Sequence, residues 1–102
     1  MLLYNTTFSI SPDKEEEFLQ WLQDEFVASA VADGQYFRDP ELFRIQSAVA
    51  DGSVNYALHL RASSPEEIET WYEDHGSRLH SYILEHWQGE VMAFSTTLTA
   101  VK

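Results

Sequence analysis

The run Phe43-Arg44-Ile45-Gln46-Ser47-Ala48-Val49-Ala50-Asp51-Gly52-Ser53-Val54-Asn55-Tyr56-Ala57-Leu58-His59-Leu60-Arg61 decides how the chain is read. Two β-type stretches, Phe43 to Ala50 and Ser53 to Arg61, flank Asp51-Gly52, a pair suited to the positive φ angles of a two-residue type I′ turn. A loop of that length fixes the register: Ala50 opposes Ser53, Ile45 faces Leu58 and Arg44 faces His59. The pairing sorts Ile45, Val49, Val54, Tyr56, Leu58 and Leu60 onto one face. Arg44, Gln46, Asn55, His59 and Arg61 fall on the other. A hairpin with one apolar and one polar face belongs in an antiparallel sheet covered on one side, and the rest of the chain has to supply the cover.

Upstream, Leu2 to Ile10 alternates, with Leu2, Tyr4, Thr6, Phe8 and Ile10 on one parity, as a half-buried strand does. Ser11-Pro12-Asp13 offers a cap and a proline for a first helical turn, and Asp13, Glu15, Glu16 and Glu17 complement the positive helix end. Phe18, Leu19, Leu22, Phe26 and Ala30 then recur at helical spacing until Asp33-Gly34 stops the run. Gln35 to Leu42, with Asp39-Pro40 inside it, reads as a connection pinned by Tyr36 and Phe37.

Downstream, Ser64-Pro65-Glu66-Glu67 is a capping box with proline at the first helical position. Ile68, Trp71, Tyr72, His75, Leu79, Tyr82, Ile83 and Trp87 trace the buried stripe of a second helix. Gly76 inside that stripe costs about 1 kcal/mol against alanine and predicts a kink or a break. After Gly89, Val91 to Val101 alternates again. Its apolar parity, Met92, Phe94, Thr96, Leu98 and Ala100, is expected to face the helices, leaving Ala93, Ser95, Thr97 and Thr99 outside.

The order β-α-β-β-α-β with right-handed crossovers predicts one α+β domain over residues 1–102. Its fold is ferredoxin-like, a four-stranded antiparallel sheet in order 4-1-3-2 with two helices on one face. Leu2-Leu3-Tyr4-Asn5-Thr6-Thr7-Phe8, Glu69-Thr70-Trp71-Tyr72-Glu73 and Phe94-Ser95-Thr96 together resemble a bacterial family of small proteins known only as a domain of unknown function. The resemblance spans nearly the whole chain. It implies a ferredoxin-like, dimeric α+β-barrel protein and brings no activity with it.

Composition narrows the partners. In 102 residues, 44% are hydrophobic and 14% aromatic, enough for a core of its own. The absence of cysteine excludes disulfides, thiolate metal sites and cysteine nucleophiles, and makes the cytoplasm the expected compartment. Six basic against seventeen acidic side chains give a net charge of −11, which repels nucleic acid and anionic lipid. No apolar run approaches membrane-spanning length.

The candidate chemistry is the polar parity of the sheet: Asn5, Thr7, Arg44, Gln46, Asn55, His59, Arg61, Ser95, Thr97 and Thr99. Asn5, Arg44, His59 and Gln46 would bring amide, cation and imidazole together, enough to hold a small anionic or carbonyl-bearing ligand. The same face, being open, equally suits the interface of a homodimer. No metal is expected, because His75, His80 and His86 are spaced wrongly to share a helix face and no phosphate loop or calcium loop is present. No cofactor is expected either. Two functions follow: a homodimeric binding or regulatory module, or a small-molecule enzyme of the cofactor-poor monooxygenase kind using Asn5, Trp71 and His75 or His80.

Overall fold

The computed structural model describes residues 1–46 and 52–101, and only the backbone of residue 33. Among these, strands β1 Leu2–Ile10, β2 Arg38–Arg44, β3 Val54–Ala62 and β4 Val91–Thr99 form one antiparallel sheet in order β2-β3-β1-β4. That is the predicted 4-1-3-2 order read from the opposite edge. Between β1 and β2 the chain passes through a 3-10 turn at Pro12–Lys14, helix α1 Glu15–Trp21, a π-helical stretch Leu22–Val27 and α2 Ala28–Val31. Between β3 and β4 it forms α3 Pro65–Trp71, a π-helical stretch Tyr72–Gly76 and α4 Ser77–His86.

The two helix starts differ. At Ser64 the side chain accepts from the Glu67 N–H at 3.4 Å, and the Glu67 carboxylate takes the Ser63 N–H at 2.7 Å, so the box closes around the first turn. Ser11, expected to cap in the same way, makes no side-chain cap bond. Its backbone holds the turn instead, with the Ser11 N–H donating to the Glu90 carbonyl and the Ser11 carbonyl accepting from Lys14. Gly76 does not stop the second helix, whose backbone stays helical there, but it ends the π-helical stretch that separates α3 from α4. It sits where a Cβ would meet the Trp71 ring at 2.7 Å, so glycine lets the helix pass tightly over a buried indole.

Both helical runs cover the same side of the sheet. Phe18, Leu22 and Phe26 from the first, and Trp71, Leu79 and Ile83 from the second, join Phe8, Ile10, Leu58 and Leu60 in one core. Aromatic edges interlock there: Phe8 meets Phe18 at 5.2 Å and Phe26 at 5.8 Å, and Trp71 meets Phe26 and Phe37 at 5.3 and 5.4 Å. The inward parity expected for β1 and β3 is the observed one.

Three expectations are corrected. Strand β2 begins at Arg38, inside the stretch read as a connection. Phe37 is buried and its N–H bonds the Ala30 carbonyl, which launches the chain onto the sheet edge. Asp39, at φ 54°, and Pro40 fall in the irregularity between Arg38 and Glu41, and an edge strand tolerates a proline at such a bulge.

Second, Arg44 pairs with Tyr56 and Leu42 with Leu58, a slip of three residues from the pairing expected of a two-residue turn. An odd slip turns every side chain over. Arg44 therefore leaves the polar face, and Phe43 and Ile45 take places on it. The bulge sets this register from the far end of the strand. Of the Asp51-Gly52 turn only Gly52 is described, with the positive φ expected of it at 77°; Asp51, like Val49 and the inward place given to it, lies outside the described residues.

Third, β4 is inverted. Val91 pairs with buried Ile10, so Ala93, Ser95, Thr97 and Thr99 share the helix side with Phe8, Thr6, Tyr4 and Leu2. Met92, Phe94, Thr96 and Leu98 point the other way. Hydrophobicity assigned this strand to the wrong side because its larger side chains lie on the uncovered face.

Candidate functional site: the open face of the sheet

The face away from the helices reads as four rows across the strands. Leu98, Leu3 and Arg61 form one; Thr96, Asn5, His59 and Glu41 the next; Phe94, Thr7, Ala57 and Phe43 the third. Met92, Ser9 and Asn55 continue into Ile45, whose N–H bonds the Asn55 carbonyl at 2.8 Å. Met92 and Phe94 are each 63% exposed, Phe43 and Leu98 46% and Ile45 38%. Five large apolar side chains on one sheet face exceed the scattered exposure normal for a monomer.

Of the four predicted site residues, the register brings two together. Asn5 and His59 are direct cross-strand neighbours. The Asn5 amide donates to Thr7 Oγ1 at 3.4 Å, and the His59 ring packs against Phe43 at 5.1 Å. Arg44 is on the helix side beside Tyr56, whose hydroxyl donates to Glu15 Oε2 at 2.5 Å. Burial and the Glu15 carboxylate push the Tyr56 phenol upward, and the Arg44 charge opposes them. Gln46 is exposed beyond the last ladder pair. The residue facing His59 is Glu41, which also pairs with Arg61 at 3.7 Å.

Sequence reasoning missed Glu41, Met92, Phe94 and Leu98 as members of this face. The one available signal was Val91 opposite Ile10, which fixes the parity of β4 once the two strands are aligned. Glu41, His59, Asn5 and Thr96 can donate and accept hydrogen bonds, and four clefts among the described residues are lined elsewhere, without Asn5 or His59.

The residues considered for oxygen chemistry are placed differently. Trp71 is fully buried, with its indole N–H directed to Ser29 Oγ at 3.4 Å. His75 packs on Tyr36 at 5.6 Å. His80 lies between Phe26 and Tyr72, where burial lowers its pKa. Among the described residues, no three His, Asp or Glu side chains are grouped to hold a metal ion. No described helix is long and apolar enough to cross a membrane.

A βαββαβ sheet with helices on one side defines a ferredoxin-like α+β domain. The chain belongs to the family described as Domain of unknown function (DUF4286), which matches it over residues 1–101. No curated protein matches it significantly. Several solved structures share the fold. A candidate antibiotic biosynthesis monooxygenase from Deinococcus radiodurans is 16% identical, with TM-score 0.71 over 100% of this chain and 94% of that one. A dimeric ferredoxin-like protein from an uncultured marine organism is 9% identical, with TM-score 0.69 over 99% and 95%. A variant of MhuD with two manganese protoporphyrin IX molecules per active site is 13% identical, with TM-score 0.64 over 100% and 96%.

Proposed function

We propose that this chain is a single-domain, cytoplasmic, homodimeric binding or regulatory module whose two copies join through their open sheet faces. The carrying observation is the outward set Phe43, Ile45, Met92, Phe94 and Leu98, which one chain leaves exposed. A twofold axis lets the same patch cover itself, and the polar row of Glu41, His59, Asn5 and Thr96 supplies donors and acceptors to its own copy. Without such partners each covered polar group would cost about 1–3 kcal/mol. The dimeric relative of the same fold supports the reading, as does the cysteine-free composition for the compartment.

The alternative, a small-molecule enzyme, has the support of the scaffold shared with the Deinococcus protein and MhuD. A scaffold hosts many chemistries, so that support is weaker than an exposed apolar face. In the dimer reading, Asn5 and His59 become interfacial groups, and any ligand they hold is enclosed by both copies.

Sedimentation at micromolar concentration tests this. The wild-type protein is expected as one species of twice 11.8 kDa. Phe94→Glu is expected to give monomer, because a buried unpaired carboxylate costs several kcal/mol. Thr97→Glu, three residues further along β4 but on the helix side, is expected to remain dimeric. A wild-type monomer, or equal dissociation by both variants, rules out sheet-to-sheet pairing.

A further inference from the structure

The helix side of β4 holds a second feature. Ser95, Thr97 and Thr99 point to that side but are exposed, whereas Thr6 and Tyr4, their neighbours on β1, are buried. The helical layer thus ends over β1 and leaves a ledge of small hydroxyl residues along β4. Beside it opens a cleft of about 330 Å³, walled by Tyr4, Ile68, Glu69, Tyr72 and Glu73. A cavity this size lies at the small end of the usual range for ligand sites.

We propose that this cleft binds a small organic cation, an amine carried on an aromatic or apolar body. Ile68 and the half-exposed Tyr72 ring give apolar wall, and a tyrosine face also attracts a cation. The Tyr4 ring is fixed by stacking on Phe37 at 5.5 Å and by the edge of Trp71 at 6.1 Å, so its hydroxyl end is held in place. That hydroxyl lies within reach of Ser95 and Thr6, whose own hydroxyls are 2.8 Å apart. Burial raises the Tyr4 phenol pKa, so the group stays neutral and able to donate or accept. Glu69 and Glu73 are one helical turn apart on the wall, and neither has an ion pair among the described residues. Among the described residues, no basic side chain lines the cleft. The net charge of −11 adds a field that draws cations and turns anions away.

The cleft and the proposed dimer surface lie on opposite sides of the sheet, so each stands without the other. The test is a titration of ¹⁵N-labelled protein with three matched probes: phenethylamine, the neutral 2-phenylethanol and the anion 3-phenylpropanoate. Phenethylamine is expected to shift the amides around Tyr4, Ile68, Tyr72 and Ser95 saturably, with a Kd of about 1 mM as befits a fragment. The alcohol should bind there about two- to fivefold more weakly, the range of an exposed ion pair, and the propanoate should not saturate. Replacing Glu69 and Glu73 together by Gln, both exposed and harmless to the fold, should bring the amine to the level of the alcohol. Phe94→Glu should leave all three results unchanged, whatever it does to the dimer. The proposal is overturned if neither amine nor alcohol saturates these amides, if the propanoate binds as tightly as the amine, or if the glutamine variant keeps the amine preference. Loss of binding in Phe94→Glu would likewise overturn a site built within one chain.

Discussion

Strand β4 presents two contrasting sides. Toward the helices it carries Ala93, Ser95, Thr97 and Thr99; toward the open face it carries Met92, Phe94, Thr96 and Leu98. The neighbouring strand β1 does the reverse, with Tyr4, Phe8 and Ile10 inward and Asn5, Thr7 and Ser9 outward. Alternation therefore establishes that a strand has two faces, but not which of them its own chain covers. On β1 the aromatic layer of Phe18, Phe26 and Trp71 gives the large side chains cover, and their burial drives folding. On β4 the large side chains stay exposed in the single chain, and in the dimer proposed above their burial would drive association.

The sharpest way to break that contrast is to truncate one phenylalanine on each side. Phe8 is fully buried between Phe18 and Phe26, so Phe8→Ala is expected to cost about 3–5 kcal/mol in chemical unfolding, a transfer loss plus a cavity. Phe94→Ala, measured at concentrations low enough to keep the protein monomeric, is expected within about 0.5 kcal/mol of wild type. Comparable losses in both would mean that Phe94 is packed within its own chain.

A smaller effect reports how little slack the covered side has. Gly76→Ala should gain helix propensity of about 1 kcal/mol, yet its methyl would stand 2.7 Å from the ring of buried Trp71. Overpacking typically costs about 1–3 kcal/mol, so a net loss of stability is expected in thermal melts. A higher melting temperature would show that the indole can move aside and that the layer is looser than its ring contacts indicate.

These two sides also explain how far the sequence could be read. The order of elements, the Ser64 box, the inward parity of β1 and β3 and the aromatic stripes were legible, because each rests on short-range chemistry or on burial within one chain. The register of β2 was not. It is set by Phe37 and by the Asp39-Pro40 bulge, and a proline inside a β run looks like a connection until the strand is known to be an edge. The side chosen by β4 was illegible for another reason: in a sequence, apolar residues that stand exposed on an open face are indistinguishable from core. The candidate site inherited both errors, so Asn5 and His59 meet as expected while Arg44 changes side.

The smallest effect concerns His80, on the covered side of the sheet. His80 lies against Phe26 and Tyr72, and burial lowers its pKa from 6.5. A lowered value in the folded state means that the unfolded chain takes up this proton first as pH falls. The stability associated with neutral His80 is therefore fully present above about pH 6.5 and is progressively lost below it, down to the folded-state pKa. Opposing this, seventeen acidic side chains begin to protonate over lower pH and relieve the repulsion in a chain of net charge −11. The raw pH profile mixes these terms, so the informative quantity is the difference between wild type and His80→Gln, in which the carboxylates and the other histidines largely cancel. Urea unfolding at about pH 7.5 and about pH 5.5 is expected to show wild type losing more stability, or gaining less, than the glutamine variant over that interval. Equal changes in the two proteins would place His80 in water in the folded state. The greater loss for wild type would confirm that even at the margin of the helix layer a charge is excluded, while on the open face Glu41 and Arg61 stand as an ion pair.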